Sequence, residues 1–494
     1  MMKKSGLLLI AVLTVMTALM VGCTKQSAEN VPITTTSQEA REAYLAGRDL
    51  QEKLRIVDSR PYFEQALKLD PDFAMAHMEY AVAVGTNKGF FEHLNKAVAQ
   101  VDKVSEGERL MILAFKAGSD NDQASTQEYL QQLVELHPND PRALIRLANF
   151  YFGGQNYERA IRFYVRVLEL DSTYSTPYNQ MGYAYRALSR FDAAERAFKK
   201  YIELIPDDPN PYDSYAELLM KMGKYDESIE MYEKALAQNS EFNFSHIGIA
   251  TNLCFKDEYD KARERLQTHM VDGTTDVGAR RQGYNAIAVT YAYERRFEEA
   301  IAALHSQYEL AEEGWDVGAM AADLTSMGGV FLEAGEPDKA RKVYKKALKL
   351  IENSELSKPV KKNSERLYQF LSSRIALMKK DLATAKAKAR AYQKEAQALE
   401  NNGLITNAHQ LMAIIALEEK MYGRAIEELT RADQQSPYTH FRMMLAYQGL
   451  NDHERAKEMC VRVAEFNSVN SLSYAFVRNR AREILATQYA DETT

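Results

Sequence analysis

Residues 175–208 read STPYNQMGYAYRALSRFDAAERAFKKYIELIPDD, with Tyr178, Met181, Gly182, Tyr185, Ala194, Phe198, Tyr201 and Pro206 at the positions that repeat elsewhere in the chain. Apolar residues three and four apart give two helices with one apolar face each, and Pro206 is a poor residue for continuing the second. One step of 34 residues back finds Leu144, Leu147, Ala148, Tyr151, Ala160 and Tyr164. One step forward finds Tyr212, Tyr215, Ala216, Leu219, Ser228, Tyr232 and Ala235. The register runs back through 107–140, with Leu113, Ala114, Leu130 and Pro138, and forward through 243–276, with Ile249, Ala250, Leu253, Ala262 and Leu266. Five consecutive units at 107–276 therefore share one period.

The pattern continues outside these five with insertions. Ile287, Ala288, Tyr291 and Ala300 form one unit, Met327, Gly328, Phe331, Ala340, Tyr344 and Ala347 another, and Ala413, Ala425, Leu429 and Pro437 a later one. Near the N-terminus Ala46, Gly47, Leu50, Phe63, Ala66 and Pro71 fit, while 74–106 and 366–399 are degenerate. Few turn residues, 12 Pro and 23 Gly in 494 residues, favour helices over sheet. A helix pair of this kind cannot bury its apolar faces alone, so consecutive pairs must stack. Gly182 and Ala194 let the helices approach, and Tyr185 and Phe198 fill the space between them and the next pair.

The spacing of Tyr178, Met181, Gly182, Tyr185, Ala194, Phe198 and Pro206 resembles the tetratricopeptide repeat (TPR). The resemblance implies an all-α solenoid of helix-turn-helix units coiled into a right-handed superhelix, here of about twelve repeats. The expected organisation is N-terminal units at 37–106, the regular five at 107–276, further units at 277–470, and a terminal helix and tail at 471–494 covering the end of the stack. Arg478, Arg480 and Arg482 are expected on that helix's polar face, and Thr36 with Glu39 as a capping box for the first helix.

The N-terminus reads as an export signal over 1–22: Lys3 and Lys4, an apolar run from Leu7 to Val21, then Gly22. Met20-Val21-Gly22-Cys23 resembles a bacterial lipobox, which implies acylation of Cys23 after cleavage and a membrane-bound envelope protein. Thr24 in place of Asp favours the outer membrane, periplasmic side, if the cell is Gram-negative. Residues 24–36, rich in Ser and Thr, are expected to be a flexible tether. With Cys23 assigned to lipid, Cys254 and Cys460 are expected in the core, unpaired.

Several activities are disfavoured. The formal charge is −7, and −9 once Lys3 and Lys4 leave with the signal (60 basic against 69 acidic residues), so no nucleic-acid partner is expected. No H-E-x-x-H, G-x-S-x-G, phosphate loop or C-x-x-C occurs, and no metal or cofactor is expected. Ser119-Asp120-Asn121 lacks the companion K-T-G of the penicillin-binding signature, and Asp120-Asn121-Asp122 lacks the glycine and glutamate of a calcium loop. His246 and His440 fall on core positions, and of the two readings of Trp315, a surface anchor for a partner or a packed loop residue, the packed one is expected. An appended hydrolase domain would need upwards of about 50 residues outside the repeats. The repeats leave no such stretch, so the chain is read as not an enzyme.

By the resemblance, partners lie on the concave face lined by each unit's first helix. The implied contact residues are Arg142, Arg146, Asn149, Asn179, Tyr183, Arg186, Asp213, Glu217, Lys221 and Asn285. Arg, Asn and Tyr suit an extended peptide, whose backbone an Asn can pair and whose carboxylates an Arg can pair. Ile145 stands where a chaperone-tail clamp would carry Lys. The implied function is a non-catalytic protein-interaction scaffold. The alternatives are an accessory lipoprotein of an envelope assembly, secretion or cell-wall enzyme complex, and a glycan or small-ligand binder.

Overall fold

A computed structural model describes residues 30–469 and 471–489. The signal segment, Cys23, residues 24–29 of the expected tether and the tail after 489 lie outside the described residues. Within them the chain is all-helical, with twelve helix pairs and one terminal helix. The first three pairs are α1 (Gln38–Glu52) with α2 (Ile56–Leu69), α3 (Ala74–Ala83) with α4 (Asn87–Val98), and α5 (Glu106–Ser119) with α6 (Gln123–Leu136). Next come α7 (Pro141–Gly153) with α8 (Tyr157–Leu170), α9 (Ser175–Ala187) with α10 (Phe191–Leu204), and α11 (Pro209–Lys221) with α12 (Tyr225–Gln238). Then follow α13 (Asn243–Phe255) with α14 (Tyr259–Leu266), α15 (Val277–Tyr293) with α16 (Phe297–Glu313), and α17 (Val317–Glu333) with α18 (Pro337–Glu352). The last three pairs are α19 (Lys358–Met378) with α20 (Leu382–Ala398), α21 (Asn402–Glu418) with α22 (Tyr422–Thr430), and α23 (Pro437–Gly449) with α24 (His453–Ala464); α25 (Leu472–Gln488) ends the chain. Both stretches that are degenerate in sequence form such pairs.

The backbone itself shows the period. Between the two helices of every unit stands one residue with positive φ: Leu54, Gly85, Asn121, Gln155, Ser189, Gly223, Asp257, Arg295, Gly335, Lys380, Lys420 and Asn451. It lets the next amide turn back to the helix end, as Asn156 N donates to the Tyr151 carbonyl at 2.8 Å. From Asn121 to Asp257 these residues are 34 apart, because the helices from α7 to α13 alternate between 13 and 14 residues. Beyond Asp257 the helices lengthen to 17 residues in α15, α16 and α17 and to 21 in α19, which is why the sequence register slips there.

Within a unit the approach of the helices depends on small residues. A Cβ at Gly182 would stand 2.5 Å from the Phe198 ring, Gly328 faces Tyr344 in the same way, and between two units Gly248 of α13 faces Tyr232 of α12. Phe198, Tyr232 and Tyr344 are buried, as are Ala194 and the free thiols Cys254 and Cys460. His246 and His440 are buried too, each with Nε2 at the carbonyl six residues earlier, Ser240 and Gln434.

Two ends of the chain differ from expectation. Residues 31–35 are an ordered arm: Val31 is buried, its N–H donates to Asp140 at 2.6 Å and its carbonyl accepts from Arg142 at 2.8 Å. Thr34 N donates to Glu108 at 2.7 Å and Thr35 bonds to Asp70. The helix cap is Ser37, which accepts from Ala40 N, rather than Thr36. At the other end α25 packs on α23 and α24 and also on α15. There Arg478 is buried, donating to the Tyr474 hydroxyl and lying 4.5 Å from the Phe255 ring centre, so it is no part of a polar face. Arg482 forms a paired contact with Asp257 (2.7 and 2.9 Å), and Asn479 donates to Tyr259 and to the Tyr293 carbonyl. The end of the chain thus reaches units seven and eight as well as its own neighbour. Asn87 to Asp316, Asn401 to the Asn121 carbonyl, and Gln155 to Asp433 likewise join early units to late ones.

Glycine to alanine inside a helix ordinarily stabilises by up to about 1 kcal/mol, but at Gly182 the buried Phe198 ring leaves no room. Gly182→Ala is expected to lower stability by about 1–3 kcal/mol. Gly329→Ala, with open space at its Cβ in α17, is expected to raise it, and thermal melting of both variants reads the opposite signs.

Candidate functional site

The first helices of the early units line a groove that holds two cavities. One, of ≈ 200 Å³, lies between α1, α3, α5, α7 and α9 and includes Arg48, Glu52, Glu79, Arg142, Arg146 and Asn149. The other, of ≈ 570 Å³, is lined from α9 and α11 by Asn179, Tyr183, Arg186, Glu217 and Lys221, and is roofed by Gln435 and the segment 466–469. Leu54 and Gln180 line both, so the two adjoin.

Eight of the ten implied contact residues line these cavities. The other two do not: Asp213 is buried and accepts from Ser245 at 2.7 Å, and Asn285 donates to Gln307. Most of the eight already have partners within the chain. Arg186 pairs with Glu217 at 2.8 Å and covers the Tyr183 ring at 4.6 Å. Arg146 pairs with Glu79 at 2.6 Å, Arg142 with Asp140 at 2.8 Å, and Asn149 accepts from Tyr164 at 2.6 Å. Asn179 is the exception: it is 2% exposed and its Oδ1 has no hydrogen-bond partner. A buried acceptor left bare costs free energy that an incoming N–H would recover.

The electrostatics of the larger cavity are set by burial. The Asp213 carboxyl beneath it is held well above the usual carboxylate range by burial and then by the Glu217 charge. Lys221 donates to the Phe466 carbonyl and stands 3.9 Å from the Phe466 ring centre. Burial first, then the Arg186 and Arg462 charges, lowers its pKa to about 8. Lys221 and Phe466 are 245 residues apart, so no local signal in the sequence could have paired them. The roof at 435 and 466–469 was missed for the same reason. Among the described residues no group of three or more His, Cys, Asp or Glu could hold a metal ion.

Family models described as tetratricopeptide repeat match residues 44–88, 117–178, 175–208 and 210–242. The chain is 23% identical over 191 residues to the anaphase-promoting complex subunit CDC16 of Saccharomyces cerevisiae, 37% of this chain and 23% of that protein. It is 27% identical over 114 residues to a UDP-N-acetylglucosamine–peptide N-acetylglucosaminyltransferase of Giardia intestinalis, 23% of this chain and 8% of that one. The matched stretch thus spans less than a quarter of either relative. Among solved structures, a tetratricopeptide repeat protein from Parabacteroides merdae is 17% identical with a TM-score of 0.36, covering 53% of this chain and 98% of its own. YrrB, a TPR protein with an unusual peptide-binding site, is 21% identical with a TM-score of 0.25, covering 37% of this chain and 91% of its own. The chain carries tetratricopeptide repeats, which supports binding of protein partners.

Lys221 should be half neutral near pH 8, more than two units below the ordinary lysine value of ~10.4. Acylation by a limiting amine reagent, followed residue by residue by mass spectrometry, should show Lys221 gaining reactivity with a midpoint near that pH. A midpoint in the ordinary lysine range would contradict the buried site described.

Proposed function

We propose that this chain is a non-catalytic scaffold of the bacterial cell envelope that binds an extended segment of a partner protein in the groove of its first helices. The observation that carries the reading is the adjoining cavity pair from α1 to α11, with Asn179, whose buried Oδ1 has no hydrogen-bond partner, among its lining residues. A peptide supplies backbone N–H groups for such an acceptor and side chains for the pockets beside it. The paired Arg186–Glu217 and Arg146–Glu79 walls hold both charges in place, so a ligand can pair with either sign.

A glycan ligand fits less well. Sugar rings stack on bare aromatic faces, whereas the Tyr183 and Phe466 rings already have the Arg186 guanidinium and the Lys221 ammonium within 4.6 and 3.9 Å of their centres. The anchoring half of the proposal rests on residues 1–23: a charged start, an apolar run and Cys23. Among the described residues no helix is long and apolar enough to cross a membrane. Acylation of Cys23 would hold such a chain at the bilayer, with two or more acyl chains needed for a durable tether. A role as an accessory lipoprotein of an envelope assembly, secretion or cell-wall enzyme complex is compatible with this binding mode.

A photo-reactive residue placed at Gln180 of the full chain, in its native membrane, should give discrete adducts with protein, and those adducts should be lost in Asn179→Ala with Arg186→Ala. Adducts unchanged by these substitutions would contradict binding in the groove. Cys23→Ser should release the chain from the membrane after signal cleavage; full retention would refute the lipid tether.

A further inference from the structure

The last turn of α16 and the start of α17 are joined at Trp315, the chain's one tryptophan. It was expected to be packed, yet it is 83% exposed and takes a φ of 53°. Among the described residues the next most exposed large hydrophobics are Val57 at 69% and Phe244 at 59%. Two residues on, Val317 enters the wall of a surface groove of ≈ 490 Å³ that runs along α18. Val317 and Leu350 give it apolar walls, and Lys342, Lys345, Lys346 and Lys349 stand along it.

The lysines follow from the helix register. Ala340, Tyr344, Ala347 and Ile351 bury one face of α18, and 342, 345, 346 and 349 fall at three-, four- and seven-residue spacing on another, which aligns them. Lys346 donates to the Tyr308 hydroxyl at 3.0 Å with its ammonium 4.5 Å from that ring's centre. Lys342, Lys345 and Lys349 have no ion pair or hydrogen bond among the described residues. Their neighbours on the same helix do: Lys339 pairs with Glu336 and Arg341 with Asp338. Like charges three and four apart destabilise a helix, so the row is held against its own repulsion. Residues 337–362 carry nine basic against three acidic side chains in a chain whose formal charge is −7.

We propose that this groove is a second docking surface, for an acidic amphipathic segment of a partner protein. Carboxylates of that segment would pair with Lys342, Lys345 and Lys349, its apolar residues would cover Val317 and Leu350, and Trp315 would close over its edge as an aromatic anchor. The charge complements an anionic partner. The concave walls favour a chain segment, which can enter a groove, over a flat lipid surface. The site is built on α16, α17 and α18 and shares no residue with the cavities of the early units, so its fate is independent of theirs.

Trp315 makes the test direct, since its emission reports this groove alone. The probe is a synthetic four-turn helix of Glu and Leu, with Leu on one face, titrated into the full chain. The expected result is a saturable blue shift of emission that weakens with added salt. Affinity should fall at least about tenfold in the triple variant K342E, K345E and K349E, whose exposed positions leave the core untouched. Binding of the labelled peptide to Trp315→Ala, read by polarisation, should fall as well. No shift, an equal shift in the triple variant, or a response to phosphatidylglycerol vesicles or single-stranded DNA without one to the peptide would overturn the proposal.

Discussion

No helix pair in this chain can bury its apolar faces by itself, and the rest of the structure follows from that. Inside a unit a small residue admits a large one, as Gly182 faces Phe198, Gly47 faces Phe63 and Gly328 faces Tyr344, and between units Gly248 of α13 faces Tyr232 of α12. The faces left over belong between units, so burial continues along the stack and stops only where something covers the last pair. The N-terminal arm is no such cover, since Val31 is buried inward beside Gly107 and His137 of the third unit. At the C-terminus the cover is α25, whose Tyr474, Val477 and Ala481 are fully buried.

The fold was legible where the pairing is local. A small residue and the ring it admits lie 16 residues apart in the chain, as with Gly182 and Phe198, so fixed spacing exposes them. The five units at 107–276 repeat that spacing because their first and second helices hold nearly constant length. Where the helices lengthen from α15 onward, the small-large pair survives at Gly328 and Tyr344 while the step between units changes. The arm was unreadable for the opposite reason. Thr34 and Thr35 look like spacer in their own neighbourhood, and their partners Glu108 and Asp70 lie 74 and 35 residues away.

The groove was legible by position and less so by charge. Eight of the ten implied contacts line its cavities because the first helices hold a constant face inward. Yet the sequence offered free Arg and Lys side chains, and the structure shows them engaged one unit or more away: Arg186 with Glu217, Arg146 with Glu79, Lys221 with the Phe466 carbonyl. Packing, not local pattern, decides which polar atom is left bare, and here it is Asn179 Oδ1. Trp315 follows the same rule, since its exposure depends on neighbours that the turn does not encode.

Closure gives the molecule two unlike halves. The groove of units one to six is covered at its far end by Gln435 and 466–469, while α25 and the segment before it lie against units six to eight through Tyr225–Asn467, Asp257–Arg482 and Phe297–Phe476. Where a partner can enter therefore depends on whether the end of the chain holds to the middle. Hydrogen exchange on the intact chain, wild type against Asn479→Ala with Arg482→Ala, measures this most directly. The account predicts faster exchange in α13, α14 and α15 together with α25. A change confined to 471–489 would contradict it.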